Sequence, residues 1–171
     1  AAYAKTVAAI IEAAITADGN YRLQQVRSRA KDALSLRRKL EQRGKARGIE
    51  LISAEGIEEE IKDLAGCRIV FYTNSDVTKL ISSGIVEKNF EIIDTKLHYP
   101  RRDNDDDVNL YISNHYLVKL RPERLALPEY LRFEGMRCEI QVQTILNHAW
   151  AEMAHDTIYK EPDLESFGTR S

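Results

Sequence analysis

Apolar residues recur along this chain with two periods, one helical and one extended. Over residues 3–17 they follow the spacing of one helix face, and Asp18, Gly19 and Asn20 end the pattern because Gly and Asn tolerate a left-handed backbone. Similar spacing predicts helices over residues 32–47 and 145–158, and Ser53 as an N-cap predicts a short acidic helix over residues 53–62. The last helix is expected to be the final element of the domain, with Leu146, Ala149, Trp150 and Met153 on its apolar side.

Shorter apolar segments predict β-strands, with a helix over residues 75–83 between the second and the third. The predicted strands cover residues 21–28, 67–72, 90–97, 112–120 and 136–143. This order predicts an α+β domain in which a single mixed sheet is flanked by helices. Residues 100–109 are charged and almost free of apolar side chains, so they predict a mobile loop.

Composition favours one soluble domain over residues 1–171. The sequence is 43% hydrophobic and 30% charged, and it holds no apolar run near the roughly 20 residues that span a membrane. Its first residues lack the pattern of a secretory signal and resemble the middle of a helix, which indicates an excerpt from a longer chain. Cys67 and Cys138 lack metal-ligand spacing, so buried reduced thiols and a cytoplasmic location are expected.

Charge is distributed unevenly although the net charge is only −2. Ten cations lie between Arg22 and Arg47, whereas Asp103, Asp105, Asp106 and Asp107 form an acidic cluster. A local basic segment on a near-neutral protein indicates a local anionic ligand more than a long nucleic-acid track.

Two acidic positions stand at predicted strands. Asp63 precedes Gly66 and Arg68, where a carboxylate can meet Mg²⁺ and the Gly permits close packing or an unusual turn; a helix end with a salt-bridged aspartate is the alternative. Alternation places the polar residues of 139–143 on one strand face. They form either the floor of a polar cleft or a solvated edge, and they are Glu139, Gln141 and Gln143.

Three further groups could contribute to a site. His148, Glu152 and His155 share one helix face, which is expected to line the same cleft as Glu139. A zinc site is disfavoured because the HExxH pattern is absent and no third ligand is evident. Residues 28–35 carry cations and hydroxyls that could hold a triphosphate or only form a solvated face. Tyr111 could stack on a base or belong to the core.

Taken in order, these segments resemble the RelA/SpoT family of (p)ppGpp synthetases. The family patterns S-R-I-K-S-x-x-S, D-x-x-G-x-R-I, G-Y-R-S-x-H, E-I-Q-I-R-T and W-A-x-x-x-H correspond to residues 28–35, 63–69, 110–115, 139–144 and 150–155. The resemblance spans about residues 21–160 and implies a nucleotidyltransferase-like fold.

The resemblance implies a pyrophosphokinase that moves the β,γ-pyrophosphate of ATP to a nucleotide 3′-hydroxyl, with GDP or GTP as acceptor. Asp63 and Glu139 would hold Mg²⁺, and Glu139 would also take the proton of the attacking hydroxyl. Arg68 would act in catalysis and, with three others, bind the ATP phosphates: Arg29, Lys31 and Ser35. The acceptor would be bound by Tyr111, His115, Gln141, Asn147 and His155.

The departures from the family pattern concern the acceptor side. Ile112 and Gln143 stand where the family has arginines, and Leu110 replaces a Gly. Two alternatives therefore stay open: a toxic relative that modifies an adenosine nucleotide or the 3′ end of tRNA, and an inactive alarmone-sensing module. The sequence leaves the oligomeric state undetermined.

Overall fold

The computed structural model describes residues 1–30, 64–97 and 114–149, together with Met153. Helix α1 (Ala2–Asp18) comes first and is followed by strands β1 (Leu23–Ala30) and β2 (Ala65–Phe71). Helices α2 (Asn74–Ser83) and α3 (Ile85–Asn89) lead to β3 (Phe90–Lys96) and β4 (Asn114–Leu120). Two single-turn helices, α4 (Pro122–Leu125) and α5 (Pro128–Leu131), precede β5 (Cys138–Thr144), after which residues 145–149 are helical.

Helix α1 forms where the sequence predicts it and ends for the expected reason. Gly19 adopts a left-handed conformation with φ 72°, and its N–H donates to the carbonyl of Ile15. The buried face of the helix includes Val7, Ile11 and Ile15. Burying an aliphatic side chain of this size contributes about 1.5–3 kcal/mol, so this face anchors the helix to the sheet.

The five strands form one mixed sheet in the order β1-β2-β5-β4-β3. Strand β2 is parallel to β5, and the other three neighbouring pairs are antiparallel. A single mixed sheet with helices is the architecture that the sequence predicts. Strand β5 lies at the centre of the sheet, with its backbone paired to β2 on one edge and to β4 on the other.

The two faces of this sheet differ in chemistry. One face packs into the core with α1 through residues of the three inner strands: Cys67, Ile69, Phe71, Tyr116, Val118, Cys138, Ile140 and Val142. On the opposite face the register aligns Arg27 with Arg68, Arg68 with Gln141, and Gln141 with His115. Alternation along β5 therefore separates core residues from polar ones, as predicted for Glu139 and Gln141.

Helix α2 is tied to β1 through a polar cap. Thr73 accepts a hydrogen bond from the Asp76 N–H (3.3 Å) and donates its hydroxyl to Asp76 Oδ2 (2.6 Å). The other carboxylate oxygen accepts from the Arg22 N–H at 3.5 Å, and Arg22 Nε lies 3.4 Å from Oδ2. Burial opposes ionisation of Asp76, but the Thr73 hydrogen bond and the Arg22 and Lys79 charges together hold its pKa below the ordinary value.

Both cysteines are buried in strands, as expected, and are free thiols. Burial, with a smaller contribution from the Glu12 charge, raises the pKa of Cys67 to about 12. Burial also raises the pKa of Cys138, with smaller contributions from Cys67 and Glu139. Both groups are therefore protonated and poorly nucleophilic near neutral pH.

Some expectations are wrong in detail, and others fall outside the described residues. Helix α3 was not predicted, and neither were the single-turn helices α4 and α5. The last helix begins at residue 145 as predicted, but its apolar side is open to solvent, since Leu146 is 77% exposed and Met153 is 56% exposed. The predicted helices over 32–47 and 53–62 and the loop over 100–109 lie outside the described residues.

Candidate active site

A cleft of about 310 Å³ lies on the polar face of the sheet. Its walls come from β1, β2, β5 and the helical residues 145–149, so strands distant in sequence supply neighbouring side chains. The lining residues are Gln25, Arg27, Ser28, Arg29, Gly66, Cys67, Arg68, Glu139, Gln141 and His148. The polar-floor interpretation of residues 139–143 is thus confirmed for Glu139 and Gln141.

Glu139 is held by a hydrogen bond at each carboxylate oxygen. Its Oε1 lies 3.0 Å from His115 Nδ1, and its Oε2 accepts from Gln141 Nε2 at 2.9 Å. The Glu139 side chain is 22% exposed, so it remains open to the cleft. A carboxylate fixed in this way can accept a proton or bind a cation without first reorganising.

Three arginines line the cleft together with Glu139. Arg27 on β1 is directly opposite Arg68 on β2. Arg29 on β1 is opposite Gly66 on β2, and Gly66 is paired in turn with Glu139 on β5. Guanidinium groups bind phosphates with two parallel hydrogen bonds, whereas like charges placed opposite each other repel. This arrangement fits a ligand with several phosphates.

Arg68 also contacts the helical segment that follows β5. Its Nη1 lies 3.2 Å from Nδ1 of His148. The expectation that this helix face lines the cleft is therefore confirmed for His148. Glu152 and His155, which share the predicted face, lie outside the described residues.

Gly66 does not have the role that was expected of it. Its φ is not positive, and a Cβ would meet its nearest neighbours, Arg29 O and Arg29 Cβ, at 3.6 and 3.8 Å. These are ordinary contact distances, so neither an unusual turn nor close packing requires glycine here.

Gln143 differs from the other polar residues of β5. It is only 1% exposed, and neither amide atom has a hydrogen-bond partner within the described part of the chain. It does not line the cleft. The expectation of three cleft-facing polar residues is therefore wrong for Gln143, which shares their face but is buried deeper.

The predicted site residues fall into three groups. Arg29, Arg68, Glu139 and Gln141 line the cleft, and His115 joins them through Glu139. Asn147 is half-buried, and its N–H donates to Thr144 Oγ1. The remaining predicted residues lie outside the described part: Lys31, Ser35, Asp63, Tyr111 and His155.

Sequence reasoning missed two residues that line the cleft from β1. Gln25 and Arg27 precede Arg29 at intervals of two, so strand alternation from Arg29 could have identified both. Among the described residues, no group of three or more His, Cys, Asp or Glu side chains could hold a metal. None of the described helices is long and apolar enough to cross a membrane.

The family model for the region found in RelA/SpoT proteins matches residues 28–163, well over half of the chain. The chain belongs to the RelA/SpoT family. The GTP pyrophosphokinase YwaC of Bacillus subtilis (strain 168) is 28% identical to this chain over 144 residues. That alignment covers 83% of this chain, and the chain spans 61% of the length of YwaC.

Solved structures share the fold of this RelA/SpoT chain. The structure of small alarmone synthetase 1 of Bacillus subtilis bound to its product pppGpp has a TM-score of 0.66 and is 19% identical in sequence. The superposition covers 94% of this chain and 77% of the synthetase chain. A GTP pyrophosphokinase family protein of Streptococcus pneumoniae has a TM-score of 0.63 at 22% identity, with coverages of 92% and 76%. The predicted fold class is confirmed by this likeness.

Proposed function

We propose that this RelA/SpoT chain is an ATP-dependent pyrophosphokinase. A 3′-hydroxyl oxygen of the acceptor bonds to the β-phosphorus of ATP, the bond from that phosphorus to the α-phosphate oxygen breaks, and AMP leaves. The hydroxyl proton passes to a base. The observation that carries the proposal is a Glu139 carboxylate, held at both oxygens, in one cleft with three arginines.

The arginines suit the donor side of this reaction. Arg27, Arg29 and Arg68 supply three positive charges to bind the ATP phosphates, and Ser28 adds a hydroxyl. Transfer of a phosphoryl-type group depends mainly on alignment and on neutralising charge. Lys31 and Ser35 belong to this proposal on the family pattern alone.

The residues present fit a Mg²⁺ ion. Mg²⁺ binds one or two carboxylates and completes its shell with water and substrate phosphates. Glu139 offers a partly exposed carboxylate in the cleft, and carboxylate oxygens are ligands that Mg²⁺ prefers. Asp63 is the proposed second ligand, since it precedes Gly66 by three residues and Gly66 is paired with Glu139. The metal would supply neutralisation of the phosphate charge.

Glu139 is also the proposed base for the 3′-hydroxyl. Its contacts with His115 and Gln141 hold the carboxylate in one orientation, and it belongs to the central strand of the sheet. Proton transfer to a positioned carboxylate contributes typically 10²–10⁴-fold to a rate. His115 and Gln141 are therefore proposed to orient the base.

The acceptor is proposed to be GDP or GTP, giving (p)ppGpp. YwaC is named a GTP pyrophosphokinase, and small alarmone synthetase 1 has been solved with pppGpp and with AMPCPP. Tyr111, Asn147 and His155 join the acceptor site on the family pattern. The 3′ end of tRNA is a second candidate, because Gln143 stands where the family pattern has an arginine and the chain therefore lacks that charge for acceptor phosphates.

Incubation with γ-labelled ATP, Mg²⁺ and each of GDP, GTP, ATP and bulk tRNA tests the proposal. We expect label in a guanosine nucleotide. Label in tRNA alone would identify tRNA as the acceptor and leave the proposed pyrophosphate transfer unchanged. No label in any acceptor, from a folded chain that binds ATP, would contradict transferase activity and favour the alarmone-sensing alternative.

A further inference from the structure

The contact between Arg68 and His148 defines the protonation of the histidine ring. A guanidinium can only donate hydrogen bonds. Since Arg68 Nη1 lies 3.2 Å from His148 Nδ1, that nitrogen must accept. His148 is therefore neutral in this arrangement, with its proton on Nε2.

The contact opposes a repulsion that acts on Arg68. Arg27 lies directly opposite on β1, and two like charges at this spacing repel. A long arginine side chain that is pushed toward solvent loses conformational entropy when a ligand orders it. A hydrogen bond that already holds the guanidinium in the cleft reduces this cost of binding.

The contact joins parts of the chain that are far apart in sequence. Arg68 lies on β2, and His148 lies 80 residues later in the helical segment after β5. Both side chains line the cleft. Their contact therefore connects the strand that presents the arginine to the helix at the other wall.

We propose that His148 is a positioning residue that accepts a hydrogen bond from Arg68 and holds its guanidinium ready for a polyphosphate. This rests on the proposed function, in which Arg68 binds the phosphates of ATP. His148 thereby sets affinity for the donor nucleotide through Arg68. A cationic side chain at this position would lose the contact and add a third repelling charge beside Arg27 and Arg68.

A double-mutant cycle tests the coupling. Binding of a non-hydrolysable ATP analogue with Mg²⁺ is measured by calorimetry for the wild-type chain, His148→Ala, Arg68→Ala and the double variant. Ordering a long side chain that is no longer held in place weakens binding about two- to tenfold. We expect this loss for His148→Ala in the wild-type background and no further loss when Arg68 has already been replaced by alanine. Equal losses in both backgrounds would overturn the proposal.

Two amide variants test whether His148 acts through its Nδ1 atom or only through the size of its side chain. An asparagine in place of His148 would put its side-chain oxygen near the site of Nδ1, whereas the longer glutamine would reach toward the site of Nε2. We therefore expect His148→Asn to restore most of the affinity and His148→Gln to behave like His148→Ala. Equal rescue by both, or by neither, would contradict a role through Nδ1.

The kinetic readout distinguishes this inference from the proposed function. His148→Ala should raise the KM for ATP and leave kcat for pyrophosphate transfer within about twofold, with an unchanged thermal midpoint. A fall in the thermal midpoint with unchanged KM would show a purely structural role and overturn the inference alone. A wild-type chain that binds no ATP analogue would overturn the proposed function and, with it, this inference.

Discussion

At the scale of single residues, the cleft depends on side chains that form hydrogen bonds with one another. Both oxygens of Glu139 have partners, and Arg68 has His148. Gln143 is the contrast on the same strand. Two buried amide atoms without partners in the described chain lower stability, because burial removes their hydrogen bonds to water.

Gln143→Met should stabilise the protein. The replacement has similar length and removes two buried polar atoms, each worth about 1–3 kcal/mol when unpaired. The gain is measured by urea unfolding as a higher midpoint with an unchanged slope. Gln141→Met is the matched control two residues earlier. It should give no gain, because it removes a donor to Glu139. A loss of stability in Gln143→Met would mean that the amide has a partner.

At the scale of elements, the cap of α2 links this helix to the beginning of β1. Asp76 is 5% exposed and receives hydrogen bonds from Thr73 and from the Arg22 N–H. Because its pKa is lowered in the folded state, the stabilisation is fully present above the unfolded value of about 4. It is lost as the pH falls through the folded value.

Asp76→Asn should therefore cost about 1–3 kcal/mol at pH 7 and progressively less below pH 4. Urea unfolding at a series of pH values between 7 and 3 measures this difference. Thr73→Val supplies an independent check, since loss of the hydroxyl donor should raise the Asp76 pKa and move the acid loss of stability to higher pH. A difference for Asp76→Asn that stays constant down to pH 3 would refute this explanation.

Most helices and strands were predictable from the periodicity of apolar residues and from the residues that end a helix. Helix α1 has a clear apolar face and a glycine stop, and β5 alternates between core and polar residues. Helix α3 was missed because it is only five residues long, too short to show a helical spacing of apolar residues. It is separated from α2 by Gly84 alone, whose φ of 67° ends the first helix. The last helix begins at residue 145 as predicted, but apolar spacing alone did not show that Leu146 and Met153 would be exposed.

At the scale of the whole molecule, the site arises from pairings that sequence order does not determine. Gly66 is paired with Glu139 although the two are distant in sequence, and this register brings Arg68 beside Gln141. The sequence identified Arg29, Arg68 and Glu139 as site residues through the family pattern. It did not provide the strand order, the approach of His115 to Glu139, or the place of Arg27 opposite Arg68.

The central claim is that the Glu139 cleft transfers pyrophosphate, and the most direct measurement is the ratio of AMP to labelled product. With γ-labelled ATP and the acceptor that takes the label, the account predicts one AMP for each labelled product. Glu139→Gln should fold normally yet lose transfer by at least about 10²-fold, since it loses its negative charge and its basicity but keeps its shape. Glu123→Gln, on an exposed residue outside the cleft, is the control and should retain full activity. ADP in place of AMP, or unchanged transfer by Glu139→Gln, would contradict the account.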